Sequence, residues 1–396
     1  MSNTDFLTIA NAVKHDLIHI RRSLHTMPEI AWGEHQTAAY ICKKLDEIQI
    51  PYITGVGQTG IVGLIKGANS GKTLLLRADM DALPIHEQTG ADYTSQNPGM
   101  MHACGHDAHV TCLLGAARML NDIRGELSGN IKLMFQPAEE AAGGAEPMIA
   151  DGVLENPHVD AAIALHVEPG FNCGDIAVRY SAFMASPDEF TITIKGKGGH
   201  GAYPHEAVDP ILTAAKFIEA VQSINSRYIS ATTPAVVSIC VMNAGSLYNI
   251  IPDSAVLKGT TRSIDPVTRA ELPRLMERML AGICAAMGAE YELDFRYMYP
   301  PLINDSAMTD MLRGVAETML GGTHVIDIAE PVMGGEDFSY VANAVPATYF
   351  NLGCGNKAKG IVHSLHNPKF NIDEDCLPIG AAMLAAAAAE WLELQK

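Results

Sequence analysis

Thr73-Leu-Leu-Leu-Arg-Ala-Asp-Met-Asp-Ala-Leu-Pro84 is an apolar run that passes directly into two alternating carboxylates, Asp79 and Asp81. A short apolar run bounded by polar and turn residues reads as a buried strand, and in open parallel sheets ligands gather just beyond strand C-termini. Residues two apart in extended chain share a face, so both carboxylates project together and suit the support of a metal-binding imidazole from behind. Taken alone, an Asp-x-Asp after a strand is more often a turn or a cap.

Working outward, the same pattern recurs. Gly60 to Ile65, Asn130 to Phe135 and Ala161 to Leu165 are further apolar strands, and an Ala/Leu-rich helix is predicted from about Ala108 to Leu120. This alternation, up to about residue 180, predicts an α/β domain with a largely parallel central sheet. From Asp188 the rhythm changes to strand (Phe190 to Ile194), helix (Asp209 to Ser226), strands (Ala235 to Val241 and Ser254 to Thr261), helix (Pro266 to Met287) and strand (Tyr291 to Tyr297). That is the β-α-β-β-α-β order of a ferredoxin-like domain. At 396 residues the chain also exceeds the size at which one core stops growing. We therefore predict a first domain from 1–185 and 299–396, and a satellite domain, 186–298, inserted into it. The helix from Leu377 onward is expected to pack back on the first domain.

Four strand ends carry the candidate chemistry. Beside Asp79 and Asp81 stands Met101-His-Ala-Cys-Gly-His-Asp-Ala-His109, where His102, Cys104 and His106 alternate and can project together; Cys104 and His106 are the favoured thiolate and imidazole ligands for a borderline-soft ion. Glu139 and Glu140 follow the strand ending at Phe135 and precede the predicted turn Ala141-Ala-Gly-Gly144. Adjacent carboxylates point in different directions, so one can bind metal while the other serves as a base. His166 ends the strand that begins at Ala161. A lone histidine in such a place is usually structural, and the signal lies in the recurrence. Later, Gly196-Lys-Gly-Gly-His-Gly-Ala-Tyr-Pro-His205 is a flexible loop carrying His200, a candidate substrate or oxyanion donor. Gly334-Gly-Glu-Asp-Phe-Ser-Tyr340 and Ser364-Leu-His366-Asn-Pro-Lys-Phe370 are expected in the larger domain.

Bulk properties exclude several classes. With 27 Lys and Arg against 45 Asp and Glu the formal charge is -18, a field that repels nucleic acid and anionic membrane alike. The N-terminal MSNTDFLTIA lacks a basic segment followed by an apolar run, and the apolar stretch Leu377 to Ala389 is too short to span a bilayer. Eight scattered cysteines suggest reduced thiols and a cytoplasmic location rather than a secreted disulfide framework.

Arg21-Arg-Ser-Leu-His-Thr-Met-Pro-Glu29, Arg77 to Pro84, Met101 to His109, Phe135 to Glu140, Gly198 to His205, Gly334 to Phe338 and His366 together resemble the M20 metallopeptidases. The likeness is to the amidohydrolase branch, which holds hippurate hydrolases, N-acyl-amino-acid amidohydrolases and plant auxin-conjugate hydrolases. It covers nearly the whole chain in order. The resemblance implies a zinc-peptidase-like catalytic domain with two divalent metal ions per subunit, and a satellite domain that acts as lid or mediates homodimerisation. It implies Cys104, His106, Glu140, His166 and His366 as ligands, Glu139 as general base, and Asn249 and Arg262 as residues that hold the substrate carboxylate or order the lid. Cys104 stands where many other branches place a bridging aspartate, and Asp79 where others carry a ligand histidine. Zinc, manganese, cobalt and nickel all suit such mixed ligation.

The implied reaction is hydrolysis of an N-acetyl or N-aroyl amino acid to a carboxylic acid and a free amino acid. A metallo-carboxypeptidase or dipeptidase acting on short peptides, or an N-acetyl-diaminopimelate deacetylase, are alternatives on the same scaffold. A non-catalytic binding protein is disfavoured because Glu139 and every implied ligand are present. A zinc nucleobase deaminase is disfavoured by the absence of its His-x-Glu and Pro-Cys-x-x-Cys pattern.

Overall fold

A computed structural model describes residues 4–141 and 143–396; the turn predicted at 141–144 includes Ala142, which lies outside them. The chain divides into two compact units. The first holds the residues up to Ser181, Ile303–Glu330 and Tyr340–Lys396, and the second holds Ala182–Leu302 with Pro331–Ser339.

The first unit is built on eight strands: β1 (Tyr52–Val56), β2 (Gly60–Lys66), β3 (Asn69–Asp79), β4 (Ser128–Gln136), β5 (Ala161–Asn172), β6 (Ile176–Val178), β7 (Val325–Asp327) and β8 (Ala347–Gly355). They form one sheet in the order β1-β2-β4-β3-β5-β8-β6-β7. The four central strands run parallel, and the β1-β2, β2-β4 and β8-β6 pairings are antiparallel. The sheet is therefore parallel through its centre, as expected, and mixed through antiparallel pairings toward its margins. Short reversals through Gly57–Thr59 and Cys173–Asp175 leave no room for the crossover that parallel neighbours need.

Central strands are apolar on both faces because helices cover them. Leu74, Leu75 and Leu76 are fully buried. The helices of this unit include α1 (Lys14–His25), α2 (His106–Asp122), α3 (Ser306–Leu320) and α4 (Leu377–Leu394). α4 packs on α2 and on β3. Small residues allow the close approach, since a Cβ added at Gly115 of α2 would lie 2.8 Å from the Ala381 methyl of α4. The helical stretch Glu374–Leu394 is, at 21 residues, long and apolar enough to cross a bilayer, which corrects the reading of the shorter apolar run. It is mostly buried inside the protein, as a core helix is.

In the second unit the strands Ala235–Ala244, Ser254–Ser263, Ser186–Lys195 and Glu290–Arg296 lie side by side in that order, each antiparallel to its neighbour. Helices Pro210–Val221 and Pro266–Met287 bury Phe217, Leu272 and Leu280 against Phe190, Ile192 and Ile194. Both start with an aspartate cap followed by proline, Asp209-Pro210 and Asp265-Pro266. The elements follow the β-α-β-β-α-β order. The segment Pro331–Ser339, expected with the larger domain, groups here instead. Its Val332 amide donates to the Phe183 carbonyl at 2.9 Å, and the Ala185 amide donates to the carbonyls of Val332 and Gly334.

Candidate metal centre

The candidate ligands converge at the C-terminal ends of the parallel strands in the first unit. Gly105 caps α2 with φ +92°, and a Cβ there would sit 2.3 Å from the Val167 side chain, so only glycine fits. The turn makes His106 the first residue of α2 and folds it back toward Cys104. It also breaks the extended alternation assumed for His102, Cys104 and His106. His102 is left out of the cluster, near His25 at 6.3 Å between ring centroids, and burial pushes its imidazole down to about 3.

Cys104 Sγ lies 3.4 Å from Nε2 of His166. Donor atoms of Cys104, His106 and His166 all stand within 4.8 Å of one another, and the same holds for Cys104, Glu140 and His366 and for His106, Glu139 and Glu140. Cys104, His106 and Glu140 each belong to two of these groups, so the donors form one connected cluster. His166 Nδ1 is 2.7 Å from the Val167 carbonyl, which can only accept, so Nε2 keeps its lone pair and turns it toward the thiol. His106 Nδ1 is held 3.1 Å from Asp81 Oδ1, while its Nε2 is buried without a hydrogen-bond partner among the described residues. Leaving a buried ring nitrogen unpaired costs about 1–3 kcal/mol, and cation binding would recover it. The thiol, imidazoles and carboxylates are the donor set of a borderline divalent ion. The residues fit the group.

Electrostatics agree. Burial, then Glu140 and Glu139, push the Cys104 thiol well above its ordinary value. Burial lowers His106, but Asp79, Asp81 and Glu140 outweigh it and bring the imidazole up to about 10. Burial opposes ionisation of Glu140, yet His366 and His106 hold it below the usual range. A pocket of this kind is short of positive charge, and metal binding displaces the protons that now supply it.

The remaining residues brace the donors. Asp81 Oδ2 accepts the Glu140 amide at 3.0 Å, tying the imidazole of His106 to the glutamate turn. Asp79 lies 3.7 Å from His106 Nε2 and binds Arg77 at 2.6 Å. His366 sits at φ +64°, with Nε2 3.0 Å from Glu140 Oε1 and its amide donating to the Ala103 carbonyl at 2.8 Å. Glu139 is buried beside them. Sequence reasoning left His109 without a role. Its Nδ1 meets Asp79 Oδ1 at 2.5 Å and its Nε2 accepts the Val167 amide at 2.9 Å, so both nitrogens are used and it is no ligand. The available signal was its spacing of three from His106 on one helix. Also unassigned was the buried set of Arg21, His25 and Asp107, with Arg21 Nε 2.9 Å and His25 Nδ1 2.7 Å from Asp107 Oδ2.

His200, Asn249 and Arg262 lie in the second unit. His200 pairs with Ile250 in a two-residue ladder, and the Gly201 amide donates to the Asn249 carbonyl at 2.8 Å, which brings His200 and Asn249 together. The Ala202 amide donates to His200 Nδ1 at 3.1 Å, so the exposed ring carries its proton on Nε2. Arg262 is half-buried on the strand Ser254–Ser263 and spends Nη1 on the Thr260 hydroxyl and the Thr261 carbonyl.

This geometry can be set against known proteins. The chain is 40% identical to Thermostable carboxypeptidase 1 of Saccharolobus solfataricus over 95% of each chain. It is 38% identical to the N-acetyl-L-cysteine deacetylase of Bacillus subtilis over 97% of this chain and 90% of that one. The crystal structure of the Bacillus subtilis YXEP protein, a dinuclear metal binding peptidase from M20 family, superposes with a TM-score of 0.85 at 35% identity, covering 97% of this chain and 99% of that one. Residues 75–390 match Peptidase family M20/M25/M40, a span that runs from the end of β3 through every donor gathered above, and the chain is a member of that family.

Proposed function

We propose that the chain is a metal-dependent amidohydrolase that cleaves N-acetyl or N-aroyl amino acids to a carboxylic acid and a free amino acid. The observation that carries this reading is the single cluster in which Cys104, His106 and Glu140 each join two donor groups, with Glu139 among them. Cys104, His106, Glu140, His166 and His366 would hold two divalent ions, zinc, manganese, cobalt or nickel. Bound there, such ions supply Lewis acidity to a carbonyl oxygen and acidify water. Glu139 takes the proton of the attacking water and returns it to the departing amine. Asp81 fixes the tautomer of His106, and Asp79 acts through His109 and Arg77. His200 donates from Nε2 to the developing oxyanion, a contribution typically worth about 3 kcal/mol; the Nδ1 contact to Ala202 supports that donor state. Asn249 and Arg262 are kept as residues that hold the substrate carboxylate or order the lid.

Similarity to a deacetylase favours acyl-amino acids, and similarity to a carboxypeptidase keeps short peptides as the second reading. The first unit would serve as the catalytic domain and the second as lid and homodimer contact. The edge strand Ala235–Ala244, with Val241 and Met242 exposed, supports that contact. All eight cysteines are free, which supports a reducing, cytoplasmic setting. The test is amine release from N-benzoyl and N-acetyl amino acids against dipeptides, by parent protein and Glu139→Gln with bound metal measured in both. Full turnover by Glu139→Gln would remove the base, and faster release from dipeptides would reverse the substrate order.

A further inference from the structure

Glu34 is fully buried at the N-cap position of the helix His35–Glu47, yet its side chain does not cap that helix. It turns the other way. Oε1 accepts the Ala138 amide at 2.9 Å, and Oε2 accepts the Thr59 hydroxyl at 2.8 Å. Ala138 stands at φ +56°, a left-handed conformation that a residue with a Cβ keeps only where its surroundings hold it. The same turn is tight beyond Glu140. The Gly143 amide returns to the Ala138 carbonyl at 3.0 Å, and a Cβ at Gly144 would lie 1.9 Å from the Pro137 carbonyl oxygen.

Two buried carboxylates therefore grip one short turn: Glu34 holds the amide before Glu139, and Asp81 holds the amide after it, that of Glu140, at 3.0 Å. The loop that carries Glu34 is also fastened to the Asp81 segment, because the Ala82 amide donates to the Glu29 carbonyl at 2.8 Å and Ile30 pairs with Ala82. Both grips share one frame. A side-chain oxygen placed on a main-chain amide is a directional hold that depends on its reach.

We infer that Glu34 is a positioning residue for the turn Ala138-Glu139-Glu140, aiming the base and the neighbouring ligand through the Ala138 amide. This inference rests on the roles proposed above for Glu139 and Glu140. Reach rather than charge is what it requires, since the partners are an amide and a hydroxyl. Glu34→Gln keeps the length and an acceptor for Ala138, and Thr59 can accept from its amide group. Glu34→Asp keeps the charge but withdraws the oxygens by one methylene.

The experiment compares the two variants in kcat, KM, thermal midpoint and Mn2+ binding by calorimetry. Glu34→Asp is expected to lose roughly 100-fold in kcat, the scale of a small misplacement of a catalytic group, with KM little changed and Mn2+ held more weakly. Glu34→Gln is expected to stay near the parent in each. Parental behaviour of Glu34→Asp, an active Asp variant beside an inactive Gln variant, or equal loss of thermal midpoint and kcat in both would overturn the inference. Glu139→Gln measured alongside separates the two levels. If it keeps full turnover the base assignment fails, while the Mn2+ pattern of the Glu34 variants still reports on the placement of Glu140.

Discussion

Oδ1 of Asp79 lies 2.5 Å from Nδ1 of His109, and the other oxygen of the same carboxylate holds Arg77 at 2.6 Å, all three side chains fully buried. Burial opposes ionisation of Asp79, and Arg77, His106 and His109 overcome it and hold the carboxyl well below its usual range. Removing the carboxylate takes from the buried Arg77 guanidinium its 2.6 Å ion-pair partner and leaves it the Gln136 side-chain oxygen, which accepts from Nε at 2.9 Å. Asp79→Ala is expected to cost about 3–5 kcal/mol in urea unfolding, as breaking a buried pair does. A loss under about 1 kcal/mol, the scale of exposed pairs, would contradict this account.

Cys104 offers its sulfur to two of the three donor groups, so its loss reaches beyond either one alone. Cys104→Ser is expected to lower the number of divalent ions retained per chain after dialysis, measured by atomic absorption. Unchanged metal content would exclude Cys104 as a shared ligand.

His366 occupies the left-handed region, which asparagine tolerates better than most residues, and half of its side chain is exposed. His366→Asn should therefore fold with a thermal midpoint close to the parent while losing metal and turnover at the Glu140 side. Retention of full metal content at parental activity would remove His366 from the ligand set.

Glu87 provides a pH handle away from the ligands. Burial raises its carboxyl, but hydrogen bonds from His25, the Ser95 amide and Thr89 outweigh that and bring it to about 2 from an ordinary 4.5. A depressed carboxylate stabilises the folded state above its unfolded pKa, and that contribution is lost as pH falls toward the folded one. Stability should decline from about pH 4.5 to about pH 2, and Glu87→Gln should make the decline shallower. Identical pH slopes in urea midpoints for the two proteins would show that Glu87 does not contribute.

Much of this was legible because apolar runs and strand-end polar residues are local signals. Leu74 to Leu76 followed by Asp79 and Asp81 reads as strand and support without any knowledge of neighbours. What escaped depends on distant partners. His109 earns its place through the Val167 amide, 58 residues away, and Glu34 through the Ala138 amide, 104 residues away. Neither main-chain partner leaves a mark in residue type. His102 was grouped with Cys104 because the strained turn at Gly105 interrupts an alternation that a run of letters presents as continuous. The antiparallel margins of the sheet were hidden for a related reason, since a strand's apolarity records how deeply it is buried and not which way its neighbour runs.

Placing α4 and β8 at the end of the chain has a consequence for biosynthesis. β8 inserts between β5 and β6, and α4 covers β3, so the first unit waits for its last fifty residues before its sheet can close. The strands and helices of the second unit are contiguous from 186 to 296 and need no such delay. The second unit is therefore expected to mature first, and a chain stalled just before β8, with Pro331–Ser339 already made, should yield a protease-resistant fragment from it while the N-terminal portion is still digested. Until β8 has been made, the apolar edge of β5 is open to other chains, and aggregation before that point is the expected failure of synthesis.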